Sequence, residues 1–186
     1  MTAVPSSGSH DEPLSPDPVP VAAAPAEPDT GAAATDGAFD PHLPEVEYGV
    51  LDGLTGYAIR RAQIRIYEDF VRSLAPWNIT PPRFSALTII ANNPDLKLTE
   101  LARILGIARS GAVLLIDALE DMKLVARRAS RSDRRAHSLA LTPTGRKTLE
   151  AVTQAVCEHD ARIASGLSAQ QRATLLDLLA RLGPPR

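Results

Sequence analysis

The sequence lacks several features that would assign a protein to a class at once. It has one cysteine among 186 residues, which excludes an internal disulfide and any zinc or iron–sulfur site built from several cysteines. No apolar run approaches the roughly 18 residues of a membrane span. The N-terminus has no Lys or Arg to begin a signal peptide. The sequence therefore predicts a cytoplasmic protein without a membrane segment.

Aromatic residues and catalytic patterns are also scarce. Aromatics make up 4% of the chain, so the core must be built from Ala, Leu, Ile and Val. There is no glycine-rich phosphate loop, no paired catalytic carboxylates and no pairing of a nucleophile with a base. Residues 157–160, Cys-Glu-His-Asp, could suggest a metal site, but consecutive helical side chains point about 100° apart. We expect these four to form a solvated helix face, in a protein that is not an enzyme and needs no metal or cofactor.

Positive charge is missing from the first quarter of the chain. Residues 1–47 hold nine of the 22 acids and no base, which leaves 13 acids against all 20 bases in residues 48–186, a net charge of +7. Residues 1–44 also hold nine of the sixteen prolines and too little apolar surface to offset the cost of ordering. The sequence predicts a disordered acidic Pro/Ala-rich tail over 1–44 and a basic folded domain over 45–186, which favours an anionic partner.

The folded part begins with a helical pattern. From Val50, apolar residues recur every three or four positions and predict a long helix that ends at Pro76. A second apolar stripe runs beside the first, which is more than one small domain can cover. Together with a leucine-rich last helix capped by Ser168 and Gln171, this pattern predicts a homodimer joined by helices from both ends of the folded chain.

Between these ends the pattern predicts a winged helix-turn-helix. Two short helices, one capped by Thr99 and the next running from about Arg109 to Met122, are separated by Gly106 and about two further residues. The period then changes from 3.6 to 2 in two short strands around a polar hairpin, residues 124–128 and 138–141. A Thr-Pro pair at 80–81 and another at 142–143 begin further helices. The predicted fold is mainly α with a small β-hairpin wing.

The basic charge is concentrated at this hairpin. Residues 123–147 contain eight bases and one acid, a net charge of +7, which equals the surplus of the whole folded part. A basic hairpin beside a helix-turn-helix attracts nucleic-acid phosphates through counterion release. The alternative is an arginine-rich loop that is only solvated. The neighbouring helix-turn-helix favours double-stranded DNA as the partner.

The order and spacing of these motifs resemble the MarR (multiple antibiotic resistance regulator) family over roughly residues 50–182. The motifs are Leu105-Gly106-Ile107-Ala108-Arg109, Leu115-Ile116-Asp117-Ala118-Leu119-Glu120, Leu124-Val125-Ala126-Arg127-Arg128, Ser132-Asp133-Arg134-Arg135 and Leu141-Thr142-Pro143-Thr144-Gly145. The resemblance implies a homodimeric winged-helix DNA-binding protein, usually a repressor that a small molecule releases from its operator. Two recognition helices about 34 Å apart would read an inverted repeat.

The resemblance also implies roles for residues of the wing and the recognition helix. In the wing, Arg135 enters the minor groove and Asp133 holds it, with Arg131 and Arg134 beside them; the alternative for the Asp133–Arg135 pair is a turn-stabilising ion pair. The predicted base-facing residues of the recognition helix are Arg109, Ser110, Gly111, Val113 and Leu114. Family members usually carry Ser/Thr and Arg there, whereas apolar groups contact thymine methyls and offer guanine no hydrogen bond. A winged-helix module that binds protein is therefore the alternative function.

A shorter resemblance concerns the ligand. Residues 54–63, at the start of the long first helix, resemble a subgroup associated with catabolism of aromatic acids, some members of which respond to the CoA thioester of a hydroxycinnamic acid. Aromatic rings could stack on such a ligand, and guanidinium groups could bind its carboxylate or phosphates. The predicted ligand site is Tyr57, Arg60, Arg61, Trp77 and Phe84. The alternative is that the arginines face DNA or solvent and that Tyr57 and Trp77 belong to the core.

Overall fold

The computed structural model describes residues 43–129 and 137–183. Across these ranges the helices are α1 (Thr55–Leu74), α2 (Pro81–Asn92), α3 (Leu98–Leu105), α4 (Arg109–Asp121), α5 (Pro143–Ile163) and α6 (Ala169–Ala180), with strands β1 (Val125–Ala129) and β2 (His137–Leu141) between α4 and α5. Short 3-10 segments at Gly49–Gly53 and Ala75–Trp77 flank α1. The predicted mainly α fold with a two-stranded hairpin is confirmed.

Two predicted helix starts were wrong. The first long helix begins at Thr55 and not at Val50, because Gly49 has a left-handed φ of +56° and Leu54 is extended, so the residues between them form a 3-10 turn. The third helix begins at Leu98 with Lys97 as its N-cap residue, and not after Thr99. The Lys97 N–H donates to the Glu100 Oε2 at 2.8 Å, which satisfies a backbone donor at the helix start.

The predicted helix-turn-helix is formed by α3 and α4. Gly106 ends α3 with a φ of +67°, and the Ile107 N–H donates to the Ala102 carbonyl at 3.1 Å. The end of α4 has the same hydrogen-bond pattern with Lys123 in the left-handed position, at a φ of +61°, and the Leu124 N–H donates to the Leu119 carbonyl at 2.9 Å. Both are Schellman endings, which turn the chain sharply out of a helix.

The start of α5 is fixed to the corner between α4 and β1. The Thr142 Oγ1 accepts from the Gly145 N–H at 2.9 Å and donates to the Lys123 carbonyl at 2.6 Å. Gly145 packs so closely that a Cβ there would lie 1.9 Å from the Leu124 carbonyl oxygen. The Leu-Thr-x-x-Gly pattern in the sequence therefore encodes a helix cap and a close backbone approach at one place.

All buried residues described by the structure lie between Phe70 and His159. We call residues 70–159 the winged-helix body and residues 43–69 and 160–183 the terminal segments. The core of the body joins α2, α3, α4 and α5 to the hairpin, in which Val125 pairs with Leu141 in an antiparallel register. Its fully buried large side chains are Leu74, Leu87, Leu101, Ile116, Leu119 and Val152.

Candidate nucleic-acid interface and ligand site

The second helix of the helix-turn-helix, α4, presents most of the predicted base-facing residues to solvent. Arg109 and Ser110 are exposed, Gly111 and Val113 are half-buried, and Leu114 is 71% exposed. Leu114 is one helical turn beyond Ser110, so the two share a face. The opposite face packs into the core through residues such as Ile116 and Leu119. Core packing therefore holds α4 while its polar N-terminus and one large apolar side chain project outwards.

The described part of the hairpin and the residues that flank it carry exposed positive charge. Lys123, Arg128, Arg146 and Lys147 are all exposed. The predicted wing residues Arg131, Asp133, Arg134 and Arg135 lie outside the described residues. Within the described residues, the predicted cationic charge is therefore exposed at the two ends of the sequence window, before and in β1 and at the start of α5.

Sequence reasoning missed the role of Arg127. This arginine was counted within the basic surplus of residues 123–147, but the structure pairs it with two carboxylates of α4 that precede that window. Its Nη2 lies 2.6 Å from the Asp117 Oδ1, and its Nη1 bonds to Glu120. The Arg127 backbone N–H also donates to the Glu120 Oε1 at 2.9 Å. The available signal was the spacing of two acids three residues apart on the outer face of α4.

The predicted ligand residues at the start of α1 are already in contact with one another or with neighbours. The guanidinium carbon of Arg61 lies 5.4 Å and 5.3 Å from the ring centroids of Tyr48 and Tyr57, within cation–π range. Arg60 is exposed and donates to the Gln63 side chain at 2.8 Å. Arg61 therefore covers an aromatic face, whereas Arg60 remains accessible to an anion.

The other two predicted ligand residues lie elsewhere on the chain. Trp77 follows α1, and Phe84 lies in α2; both are half-buried against the core of the winged-helix body. Tyr57 and the end of α1 at Leu74 are about 25 Å apart along the helix axis. Within one chain the length of α1 thus separates Tyr57, Arg60 and Arg61 from Trp77, and Phe84 lies on a different helix.

A polar network built on the buried His159 joins α1 to α5. His159 is 4% exposed, and its Nδ1–H donates to the Asp69 Oδ2 at 2.7 Å, while Arg162 reaches the same carboxylate at 3.1 Å. The hydrogen bond from His159, followed by that from Arg162, lowers the pKa of Asp69 below its ordinary value. The expectation that His159 lies on a solvated face was wrong, because α1 covers that side of α5.

The neighbours of His159 remain accessible. Cys157 and Glu158 are exposed, and Asp160 forms an ion pair with Arg172 of α6. Among residues 43–129 and 137–183, no group of His, Cys, Asp and Glu could hold a metal ion. Nor does any helix in these ranges have the length and apolar character needed to cross a membrane.

The fold and the exposed face of α4 define a winged-helix protein of the DNA-binding class. The MarR family model matches residues 79–137, which span α2 to the start of β2. The chain is 36% identical over 141 residues to a protein assigned to transcriptional regulation of the hcr operon in Thauera aromatica, covering 75% of this chain and 85% of that one.

Solved structures of the transcriptional repressor CouR are also similar. CouR bound to a 23-mer DNA duplex has a TM-score of 0.70 at 43% identity, and CouR bound to p-coumaroyl-CoA has a TM-score of 0.68 at 40% identity. Each match covers 73% of this chain and 96% of that chain. The chain belongs to the MarR family of transcriptional regulators.

Proposed function

We propose that this protein is a homodimeric transcriptional repressor that leaves its operator DNA when it binds a small aromatic ligand. The observation that carries the proposal is the outward face of α4, the second helix of the helix-turn-helix, on which Arg109, Ser110 and Leu114 are exposed. The similarity to CouR, which has been captured on a DNA duplex, supports the same reading.

The residues of α4 suit different parts of a DNA groove. Arg109 and Ser110 stand at the helix N-terminus, where unpaired N–H groups and the helix dipole favour phosphates. Leu114, with Val113 and Gly111 beside it, offers an apolar surface for thymine methyl groups. Arg135 remains the residue proposed to enter the minor groove, with Asp133 holding its side chain, and Arg131 and Arg134 remain proposed DNA-binding residues of the wing.

A second copy of the chain is the proposed cover for the terminal segments. No residue of α6 is buried, and its leucines are 43–58% exposed. The exposed large apolar residues of these segments are Leu43, Val46, Val50, Leu51, Leu54, Ile59, Ile66, Ile163, Leu167, Leu175, Leu176, Leu178, Leu179 and Leu182. So much apolar surface marks an interface, and a two-fold dimer would present two copies of α4 to an inverted repeat.

The proposed effector is an aromatic acid or its CoA thioester. CouR binds p-coumaroyl-CoA, and the exposed guanidinium of Arg60 suits a carboxylate or phosphate. Tyr57 and Arg61 form one part of the proposed site, and Trp77 and Phe84 the other. Because the two parts are separated along α1, we place the ligand where helices of two chains meet. The proposed location is the cytoplasm, and the proposed function includes no catalytic step.

A binding titration tests the function. Fluorescence anisotropy would follow wild-type protein on a duplex enriched by that protein from a randomised pool, between about 50 and 200 mM salt. We expect affinity to fall steeply with salt and to fall further when p-coumaroyl-CoA or p-coumaric acid is added. Arg109→Ala should weaken binding, whereas Arg72→Ala, which removes an exposed charge from α1, should not.

Two results would contradict this function. Salt-independent binding, or none, would favour the protein-binding module. Release of DNA by neither aromatic compound would remove the proposed effector class.

A further inference from the structure

The contact between Arg127 and the two acids of α4 has a feature that simple charge attraction to DNA does not explain. Asp117 is one turn beyond Leu114 and two turns beyond Ser110, so it stands on the outward face of α4. Its side chain is 49% exposed. A carboxylate on this face repels DNA phosphates. A second function of Asp117 that offsets this repulsion would explain why an acid stands there.

That role is visible in the geometry of Arg127. Its guanidinium reaches Asp117 with one nitrogen and Glu120 with another, and its backbone N–H bonds to Glu120 as well. Arg127 is the middle residue of β1 and pairs with Leu139 of β2. Three hydrogen bonds therefore fix the middle of the hairpin to the outer side of α4, and they also neutralise carboxylates that would otherwise face DNA.

We infer that Arg127 is a positioning residue for DNA recognition, which sets the angle between α4 and the hairpin by bridging Asp117 and Glu120. The inference rests on the proposed DNA-binding function. We call the three residues the α4–β1 clamp. The planar guanidinium suits this task, because its nitrogens can bond two carboxylates at once, which the single ammonium of a lysine does not do in the same geometry.

For removal of the two acids, the clamp predicts a change in DNA affinity of the opposite sign to that expected from charge alone. Replacing Asp117 and Glu120 together by alanine removes two negative charges near the proposed DNA face, and charge alone would then strengthen binding. The clamp predicts weaker binding to the enriched duplex, by roughly two- to thirtyfold. Alanine is a better helix former than either acid, so α4 should still form.

A matched control is available on the same helix. Asp121 is exposed at the end of α4 and lies outside the clamp. Asp121→Ala removes one negative charge without changing the clamp, and should leave binding equal or slightly tighter. Because exposed ion pairs contribute little to stability, the melting temperature of the double variant should change by only a few degrees.

A second variant separates positioning from direct contact. Arg127→Lys keeps the charge, so a phosphate contact made by Arg127 would leave the affinity and the salt dependence close to those of the wild type. The clamp predicts lower affinity for the enriched duplex, an unchanged slope of log affinity against log salt, and a smaller preference over a random-sequence duplex. A purely structural role would change the melting temperature and not this preference.

The outcomes are distinguishable. Wild-type binding with equal or tighter binding by the Asp117→Ala/Glu120→Ala variant would overturn the clamp and leave the proposed function intact. Absence of DNA binding by the wild type would overturn both. Weaker and less selective binding by the double variant, with Asp121→Ala unaffected, is the result that the clamp predicts.

Discussion

The winged-helix body and the terminal segments differ in how completely one chain can cover their apolar side chains. Every buried residue described by the structure belongs to the body, where Leu87, Leu101, Ile116 and Leu119 have no measurable exposure. In the terminal segments no described residue is buried, and α6 alone exposes four leucines within its length. Burying a leucine contributes about 1.5–3 kcal/mol, so one chain leaves a large stabilising contribution unused at its ends.

This difference indicates that the body contains the contacts that fold the chain, whereas the terminal segments contain the apolar surface on which two chains assemble. The body has a closed core, fixed helix ends and a hairpin held to α4. The terminal segments have helices that form through local capping, as at Ser168, whose Oγ accepts from the Gln171 N–H at 3.2 Å. Changes in the body should therefore alter unfolding, and changes in the terminal segments should alter association.

The largest effect is expected inside the body. Gly145→Ala places a Cβ 1.9 Å from the Leu124 carbonyl oxygen, so α5 must move away from the corner between α4 and β1. We expect a loss of more than about 3 kcal/mol in the free energy of unfolding, measured by denaturant titration. Gly111→Ala is the matched control, because no atom lies within 4 Å of its added Cβ; it should stabilise α4 by about 0.5–1 kcal/mol. Equal changes in the free energy of unfolding for the two variants would contradict the close approach of Gly145 to Leu124.

The second effect concerns the terminal segments. Leu175→Ser combined with Leu179→Ser removes two exposed leucines from one face of α6. If that face meets a second copy, the dissociation constant of the dimer should rise at least about 100-fold, as measured by sedimentation. Leu114→Ser, which changes an equally apolar but unrelated exposed site on α4, should leave the dimer intact. A double variant that still sediments as the wild type does would place the interface elsewhere.

The third effect lies at the junction of the two regions, where Asp69 of α1 meets His159 of α5. A lowered pKa in the folded state means that the carboxylate stabilises the fold above its ordinary pKa of about 3.8. That contribution is lost as the pH falls through the folded value. Asp69→Asn should thus cost about 1–2 kcal/mol at pH 7, and the cost should shrink as the pH falls through the lowered pKa of Asp69.

The control for this prediction is Asp160→Asn, which disrupts an exposed ion pair with Arg172 and should cost less than about 1 kcal/mol at neutral pH. Thermal unfolding of both variants across the acid range measures the difference. A penalty at Asp69 that does not change with pH would show that its charge is unimportant.

The smallest effect is expected at the end of α4. Lys123 adopts a left-handed φ of +61° where α3 has Gly106 at +67°. A left-handed conformation costs a side chain about 1–2 kcal/mol, and glycine recovers part of this while losing more entropy on folding. Lys123→Gly should raise the free energy of unfolding by about 0.5 kcal/mol, and Gly106→Lys should lower it. Stabilisation by the second variant would contradict this account of helix ends.

Sequence reasoning located the features that local chemistry determines. The stop at Gly106, the Thr142 cap, the capping box at Ser168 and the two short strands each depend on residues close together in the chain, and the structure has them. The predicted start at Val50 was wrong, since apolar spacing alone does not distinguish a 3-10 turn from the first turn of a helix.

Contacts between residues far apart in the chain could not be predicted from the sequence pattern. Asp69 and His159 are 90 residues apart, and the spacing of apolar residues does not predict that α1 covers one side of α5. The pairing of Arg127 with Asp117 and Glu120 crosses from a strand to a helix, so a count of charges in one window assigned Arg127 to the free basic surface. The ligand residues were grouped by chemistry, while the length of α1 separates them within one chain.

The most direct test of the account is the composition of the protein–DNA complex. Native mass spectrometry on the enriched duplex would count the chains bound, first without ligand and then with p-coumaroyl-CoA. We expect two chains per duplex without ligand, and free dimers together with free duplex once the ligand is added. One chain per duplex, or two chains that stay bound at saturating concentrations of the ligand, would contradict a dimeric repressor released by an aromatic effector.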